Sequence, residues 1–597
     1  MEVGLANRLH TGNVFRRSTP IVNKTAGLLA QGPEPPDPTI SQLTLFILWI
    51  IALSIWVFRM VNVRSPLSFS AVGTEEKDVE SDEVSEKDNN RDQHSSTHPI
   101  QRKDGSKGSA SDAENENYKE NEEHKTPNGD VADSTKVISK SISQNETKFS
   151  KEPPATGDSN KPTQFSKVQP PPTLDNFLKY SALLGLIMMF YYVCDYYHQW
   201  PRGEREYSRD TFGFMCVMLV AVAAVFTIKT TPDKLINRDQ TEEWKGWMQV
   251  GFVWYHYFAA KETYNYIRLF IACYVWMTGF GNFSFFWVRK DFSLWRMFKM
   301  LFRLNFLVTI TMFATNNQYM LYYICAMHTY WFFSVYFFMV IFQSWNENPL
   351  RMTIKFACYF VANLIIFDTP ARDVIFKPLW LILSYDDSMH EWVFRAGLDH
   401  YAALIGMICA YHYPNYERFM NYLDKRHLNR HDYLLTLGIK LFTSGLFLAA
   451  VIIWFRHLMW RDKYDYNVYH PYTSWVPILA YIYFRNLFPI LRTHYLDLFA
   501  WLGKVTLETY ISQLHIYMQD GAKALIVYIP GYPLLNFALA SVIYLLASYW
   551  LFHITMTFSA FLIPKDHKKL GVNIVVGVVI IGVCVCLAVV VREIGVL

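Results

Sequence analysis

Residues 572–591 read VNIVVGVVIIGVCVCLAVVV, twenty residues without a charged side chain. A helix needs about 20 apolar residues to cross the hydrocarbon core of a bilayer, so this stretch predicts a membrane span. Other stretches of this kind lie at 43–60, 177–193, 212–228, 321–342, 434–455 and 534–558. Including segments that Gly, Asn, His or Arg interrupt, we expect roughly 11 to 14 spans. The sequence therefore predicts an all-α polytopic membrane protein.

A polar block separates the first of these stretches from the rest. Residues 65–170 contain 21 Asp and Glu against 14 Lys and Arg. Such a segment buries too little apolar surface to offset its chain entropy and is expected to be disordered. We expect a cytosolic tail (1–40), a signal-anchor helix (41–61), a disordered acidic linker on the lumenal side (62–173) and a multi-pass domain (174–597). The orientation rests on the basic residues before the first span, Arg8, Arg16, Arg17 and Lys24.

Two short motifs lie in this linker. Asn-Glu-Thr at 145–147 is a glycosylation acceptor if the linker is lumenal. Gly-Asp-Ser-Asn at 157–160 copies the signature of a hydrolase family that also transfers acyl groups, but no strand precedes it. We interpret the second motif as a chance occurrence.

The basic residues of the chain, whose net charge is +4, lie mainly in short loops between spans. Such clusters mark cytosolic flanks of membrane helices and do not indicate a nucleic-acid partner. Two basic loops, 202–209 and the one containing Arg289 and Lys290, are both predicted to be cytosolic. These assignments conflict if residues 246–260 cross completely, and they agree if that segment is re-entrant or lies in the interface. The eight cysteines lack zinc spacing, so no metal site is predicted.

Residues 238–268 read RDQTEEWKGWMQVGFVWYHYFAAKETYNYIR and carry the strongest functional signal. On a helix at 100° per residue, Glu242, Lys245, Gln249 and His256 fall within about 60° of one another. Ionisable groups at membrane depth normally line a cavity. Histidine titrates near neutrality, so His256 is a candidate general base. The alternative is a structural hydrogen bond to a neighbouring helix.

Two further histidines are catalytic candidates. His328 lies on a strongly apolar segment, where it either acts in catalysis or makes an interhelical hydrogen bond. Arg395 and Asp399 are spaced i,i+4 and are predicted to pair. That pair would leave His400 free to act, or to be oriented by a carboxylate on a neighbouring helix; a structural role for the pair is equally open.

Near the end of the chain, Glu508, Ser512 and His515 share one helical face. Three residues on one helix seldom reach the geometry of a nucleophilic triad. We therefore predict that Glu508 and His515 line a substrate site.

Several long blocks closely resemble a known multi-pass acyltransferase domain over residues 174–565. It is the domain of fungal capsule O-acetylation proteins, the animal sialate O-acetyltransferase and plant reduced-wall-acetylation proteins. The blocks are NRDQTEEWKGWMQ at 237–249, YHYF at 255–258, YVWMTGFGNF at 274–283, RKDFS at 289–293, YMLYYIC at 319–325, MHT at 327–329 and LETY at 507–510.

This resemblance implies O-acetylation of glycans or polysaccharides in the Golgi, with cytosolic acetyl-CoA as donor substrate and no bound cofactor. Fungal and animal members carry a lumenal Ser/Asp/His hydrolase-like domain where this chain has its linker. The plant proteins lack it and are thought to supply acetyl groups to a separate lumenal acetyltransferase, which would then be a partner here, besides membrane lipid.

We expect Arg238 and Lys245 to bind the phosphates of acetyl-CoA, and His256 to act as base or transient acetyl carrier. His328 or His400 would stabilise charge or relay the group, with Glu242, Gln249 and Asp399 among the substrate-binding residues. One alternative is a transporter of acetyl-CoA or acetyl groups. Another is a scaffold whose partner performs the chemistry.

Overall fold

The computed structural model describes residues 37–64, 173–379, 390–425 and 429–594. Eleven helices in these ranges are long and apolar enough to cross a membrane, which confirms the predicted fold class. In chain order the helices are α1 Ile40–Arg64, α2 Leu174–Tyr191, α3 Arg209–Phe226, α4 Arg238–Phe258, α5 Tyr264–Arg289, α6 Leu294–Thr315, α7 Tyr323–Val340, α8 Pro349–Asp368, α9 Ala371–Ile375, α10 His390–Gly397, α11 Ala402–Tyr411, α12 Tyr413–Asp424, α13 Arg430–Trp454, α14 Lys463–Thr473, α15 Trp475–Asn486, α16 Pro489–Thr493, α17 Asp497–Lys504, α18 Thr506–Ile516, α19 Pro533–Leu562 and α20 His567–Glu593.

Within the described ranges, five short strands form two small antiparallel sheets in the loops. One sheet has the order β1-β5-β4, with β1 at Arg202–Gly203, β4 at Met518–Gln519 and β5 at Ala524–Ile526. The other pairs β2 (Ile228–Thr230) with β3 (His494–Leu496). Both sheets tie loops that are far apart in sequence.

Helix α4 carries the predicted polar stripe and is continuous over 21 residues. Its cap residue Asn237 accepts a hydrogen bond from the Gln240 amide at 2.8 Å, and the helix ends at Ala259 in the left-handed conformation. At 1.5 Å per residue it is about 31 Å long, enough to cross a bilayer core. Because α4 is one continuous helix between the far end of α3 and the loop before α5, residues 246–258 run along the bundle and do not turn back, although α4 is not among the eleven helices apolar enough to count as spans.

Close packing of α4 against α17 depends on two glycines. A Cβ atom at Gly246 would lie 1.8 Å from the Phe499 carbonyl oxygen, and one at Gly503 would lie 1.9 Å from that of Glu242. Only glycine permits the two backbones to approach this closely. The contact fixes the position of the polar stripe.

Contacts between loops define two ends of the bundle. Tyr196, after α2, donates to the carbonyl of Asp37 at 2.9 Å, and Arg209 pairs with Glu262 at 2.7 Å. These residues belong to what we call the N-terminal end. At the opposite end, Lys290 pairs with Glu347 at 3.0 Å.

The two basic loops consequently lie at different ends of the bundle. Loop 202–209 is at the N-terminal end, and α3, α4 and α5 separate it from Arg289 and Lys290. The prediction that both loops are cytosolic is therefore wrong for one of them. The charge pattern failed because α4 is too polar to be recognised as a crossing helix. Residues 1–36 and 65–172, with the motifs at 145–147 and 157–160, lie outside the described residues.

Candidate functional site

A cavity of about 330 Å³ lies at the N-terminal end, beside the end of α4. His256 lines it together with five cationic residues: Arg205, Lys261, Arg268, Arg395 and Lys463. None of its lining residues in the described chain is an aspartate or glutamate. We call this site the basic cavity. Its composition suits a ligand that carries several negative charges.

His256 contacts the protein through one ring nitrogen. Nδ1 lies 3.4 Å from Oε1 of Gln513 on α18, and the ring meets that of Phe252 edge-on at 4.4 Å. Within the described residues, Nε2 has no hydrogen-bond partner. With the Gln513 amide oxygen facing the ring, Nδ1 carries the proton and Nε2 keeps its lone pair. This arrangement suits a general base or nucleophile.

Three of the cations reach the cavity without a carboxylate partner in the described ranges: Arg205, Lys261 and Lys463. Arg205 donates to the backbone carbonyls of His256 at 3.4 Å and Lys523 at 3.1 Å. The Lys463 ammonium lies 5.2 Å from the centre of the Tyr264 ring. Their charges therefore remain available to a bound anion.

Asp399 pairs differently from the sequence prediction. Helix α10 ends at Gly397 and α11 begins at Ala402, so the turn between them rotates Asp399 away from Arg395. Arg395 instead pairs with Glu391 at 3.0 Å. The predicted i,i+4 pair is therefore wrong.

The partner of Asp399 is Arg268 on α5. Its Nη2 donates to Oδ2 of Asp399 at 2.7 Å. The other carboxylate oxygen lies 3.2 Å from Nε2 of His470, whose Nδ1 lies 3.0 Å from the Tyr466 hydroxyl. All four side chains are at most 4% exposed. Asp399 thus contributes to the basic cavity through Arg268.

The predicted polar stripe does not form one site. Lys245 pairs with Glu242 at 2.6 Å, and Arg238 approaches Glu242 at 3.8 Å. Gln249 is buried one turn further along. Eighteen residues separate Arg238 from His256, about 27 Å along the helix. The two predicted phosphate-binding residues therefore lie far from the cavity that contains His256.

The other two predicted catalytic histidines occupy separate environments. His328 Nδ1 lies 2.8 Å from the Thr278 hydroxyl, and its ring is 6.4 Å from that of Tyr274. His400 is 1% exposed, and its Nε2 lies 3.5 Å from Oδ2 of Asp368. This carboxylate on a neighbouring helix is the arrangement that the sequence left open for His400. Neither histidine lines the basic cavity.

Glu508, Ser512 and His515 lie on α18 with a different partner each. Glu508 makes a bidentate ion pair with Arg303, and Ser512 accepts from the Tyr191 hydroxyl at 2.7 Å. All three are 0% exposed. They form no triad, and none lines the basic cavity.

Both ring nitrogens of His515 have partners. Nδ1 lies 2.9 Å from Oδ2 of Asp195, and Nε2 lies 2.7 Å from the Tyr322 hydroxyl. Asp195 also accepts from Asn317 at 2.9 Å and from the Asp520 amide at 2.8 Å. We call these residues the His515 cluster.

Residues 131–575 match the model of a protein family described as the 10 TM acyl transferase domain found in Cas1p. The chain belongs to this acyltransferase family. It is 30% identical over 411 residues to the N-acetylneuraminate (7)9-O-acetyltransferase of Danio rerio, a match that covers 65% of this chain and 51% of the relative. The chain thus spans about half the length of the curated relative it matches. No solved structure matches it.

The sequence analysis missed most of the basic cavity. Arg205 lies in a loop, Arg268 on α5, Arg395 on α10 and Lys463 at the start of α14. No local spacing connects residues that are up to 258 positions apart. The available signal was that Arg268 and Arg395 lie inside largely apolar segments, where an ionisable residue is costly.

Proposed function

We propose that this protein transfers an acetyl group from cytosolic acetyl-CoA to carbohydrate hydroxyls, or to a carrier that supplies them, in the Golgi membrane. The observation that carries the proposal is the basic cavity of an acyltransferase-family chain, in which His256 lies among five cations and no carboxylate. Acetyl-CoA combines several phosphate charges with a reactive thioester. The basic cavity offers cations that can bind the phosphates and a base that can act at the thioester.

The side chains suggest a division of tasks. The exposed Lys261 and Lys463, with Arg205, would bind phosphates at the cavity mouth, because ammonium and guanidinium groups are the usual phosphate ligands in proteins. This assignment replaces Arg238 and Lys245, which lie at the far part of α4. His256 Nε2 would take the proton of the attacking hydroxyl, or would itself carry the acetyl group.

The orientation of the chain supports a cytosolic donor. The predicted cytosolic N-terminus places Asp37 and the N-terminal end on that side, and loop 202–209, which forms one wall of the cavity, is basic. Both arguments assign the cavity to the cytosolic side. The acetyl group must then travel toward the lumen, either to a glycan directly or through a separate lumenal acetyltransferase.

The experiment uses the full-length protein in nanodiscs with acetyl-CoA labelled in the acetyl group. Two acceptors are offered separately: a sialylated glycan, since the Danio rerio relative is named for N-acetylneuraminate, and a neutral polysaccharide. We expect CoA release and a labelled glycan or protein adduct in wild type, both lost in His256→Ala. Donor binding without thioester cleavage, with either acceptor, would contradict the proposal.

A transporter is the second candidate function. Polar residues continue along α4 from His256 through Gln249 to Lys245, toward the opposite end of the bundle. A polar route of this kind would also suit passage of an acetyl intermediate. Sealed proteoliposomes distinguish the two: a transporter delivers intact acetyl-CoA or free acetate to the far side, whereas a transferase leaves CoA on the donor side.

A further inference from the structure

We propose that Arg268 is the residue that stabilises the negative charge developing on the acetyl carbonyl oxygen, and that Asp399, His470 and Tyr466 position it. This role rests on the proposed acyl transfer in the basic cavity. Arg268 differs from the other four cations of that cavity in its burial and its ion-pair partner.

Arg268 is the most deeply buried cation of the basic cavity. It is 4% exposed, and its ion pair with Asp399 at 2.7 Å is buried on both sides. Lys261 and Lys463, in contrast, are exposed. Flexible surface cations suit the binding of a ligand in its ground state, whereas a fixed donor suits charge that appears only in the transition state.

Arg268 also retains hydrogen-bonding capacity. Nη2 donates to Asp399, whereas the buried Nε has no partner in the part of the chain that the structure describes. Buried donors in native proteins are nearly always paired, so the unpaired Nε of a residue that lines the cavity suggests that ligand binding completes its hydrogen bonding. A carbonyl oxygen is the acceptor that an acyl transfer would bring there.

The residues behind Arg268 form a hydrogen-bonded chain. Asp399 accepts from Arg268 through Oδ2 and from His470 through Oδ1, so His470 carries its proton on Nε2. Nδ1 of His470 then accepts from the Tyr466 hydroxyl. Each of these groups donates or accepts at a defined atom. This fixes the plane of the Asp399 carboxylate and therefore the orientation of the Arg268 guanidinium. Two helices, α5 and α14, and the turn before α11 contribute these four residues.

Acyl transfer in the basic cavity begins when the acceptor hydroxyl attacks the thioester. The acceptor oxygen bonds to the thioester carbon while its proton passes to Nε2 of His256. The π electron pair of the carbonyl moves to oxygen, which accepts a hydrogen bond from Arg268. When the carbonyl re-forms, the carbon–sulfur bond breaks and the CoA thiolate takes the proton from His256.

The test separates transition-state from ground-state interactions in the full-length protein in nanodiscs. Arg268→Lys keeps the charge but loses the planar donor fork. We expect kcat to fall by about 10²- to 10³-fold, while the Kd of CoA changes by less than about threefold. A CoA-linked phosphonate, which carries a charged tetrahedral group, should lose affinity in parallel with kcat.

Asp399→Asn tests the supporting residues, since it keeps the shape but weakens the hold on Arg268. We expect kcat to fall by about 10- to 100-fold, because small displacements of a positioned group have effects of this size. Glu243→Gln is the matched control: Glu243 makes a buried ion pair with Arg485 at 2.9 Å and does not line the basic cavity. Its kcat should stay within about twofold of wild type.

Each outcome decides one point. If Arg268→Lys raises the Kd of CoA and leaves kcat unchanged, Arg268 is a phosphate anchor and the inference is wrong. If neither constant changes, or if Glu243→Gln lowers kcat as much as Asp399→Asn, the chain around Asp399 is only structural. A wild type without turnover overturns the proposed function and this inference together; an active wild type with unaffected variants overturns this inference alone.

Discussion

The basic cavity and the His515 cluster each contain a histidine on or beside α18. They differ in how many of the two ring nitrogens have a hydrogen-bond partner. His515 is completely buried, with Asp195 on one nitrogen and Tyr322 on the other. His256 has one side-chain hydrogen-bond partner, Gln513, and its second nitrogen has no partner in the described chain. An imidazole with both nitrogens bonded is part of the framework, whereas one with a free nitrogen at a cavity can perform chemistry.

The largest expected effect is the loss of acyl transfer in His256→Gln. Glutamine fills a similar volume and can still bond to Gln513, but it cannot take a proton at neutral pH. We expect kcat/KM to fall by about 10²- to 10⁴-fold. The measurement is CoA release per mole of monodisperse protein.

This variant also distinguishes the two roles left open for His256. Mild acid quenching of wild type with labelled donor would trap an acetyl adduct if the imidazole carries the group, and no adduct if it acts only as base. A His256→Gln protein with activity near wild type would contradict the proposed difference between the two histidines, because the unbonded nitrogen of His256 would then play no part in catalysis.

The second prediction concerns the stability of the His515 cluster. Asp195 accepts hydrogen bonds from His515, Asn317 and the Asp520 amide. In Asp195→Asn, the new NH₂ group must face one of these donors. We expect the free energy of unfolding to fall by about 1–3 kcal/mol, measured by thermal unfolding in nanodiscs.

Asp210→Asn, on the exposed start of α3, is the control and should leave the melting temperature unchanged. If Asp195→Asn keeps its melting temperature but loses turnover in the folded fraction, then His515 belongs to a substrate site, as its sequence position first suggested.

The same contrast shows how far the sequence could predict this molecule. Apolar length located the spans, and the 3.6-residue period placed Glu242, Gln249 and His256 on one inward face of α4. These are local properties. The pairing of Asp399 is not a local property, because the four residues of turn between α10 and α11 decide the direction of its carboxylate.

The partners of the buried polar residues on α18 could not be predicted from the sequence either. Glu508 and His515 carry the residue types of a substrate site, and their fully satisfied partners, Arg303 and Asp195, come from helices more than 200 residues away. Residue type indicates that a polar group at membrane depth has a purpose. Only the tertiary contacts tell whether that purpose is to bind a ligand or to hold helices together.

The third prediction concerns Gln513, the one side-chain hydrogen-bond partner of His256 within the described residues. Gln513→Leu removes the acceptor at Nδ1, so the imidazole no longer has a preferred tautomer. We expect kcat to fall by about tenfold, in line with the loss of other groups that orient a reacting histidine.

Gln513→Glu provides the complementary test. A carboxylate beside Nδ1 stabilises the protonated ring, so the acid limb of the pH–rate profile should move to higher pH. An unchanged profile in this variant would show that the 3.4 Å contact does not orient the base.

The smallest expected effect concerns the two exposed cations of the basic cavity, in contrast to the buried Arg268. Lys261 and Lys463 lie at its mouth, where solvent screens their charges. An exposed ion pair contributes about 0.2–1 kcal/mol, so Lys261→Met or Lys463→Met should raise the KM for acetyl-CoA about 1.5- to 5-fold and leave kcat unchanged.

The salt dependence of this effect is the decisive measurement. Because the Debye length shrinks from about 10 Å at 0.1 M to about 3 Å at 1 M ionic strength, the difference between Lys463→Met and wild type should nearly vanish at high salt. Lys569→Met, an exposed lysine at the start of α20 away from the cavity, should match wild type throughout. A KM effect that persists at high salt would mean that Lys463 contacts the donor directly at a desolvated position. Lys463 would then belong to the interior of the basic cavity and not to its solvent-exposed mouth.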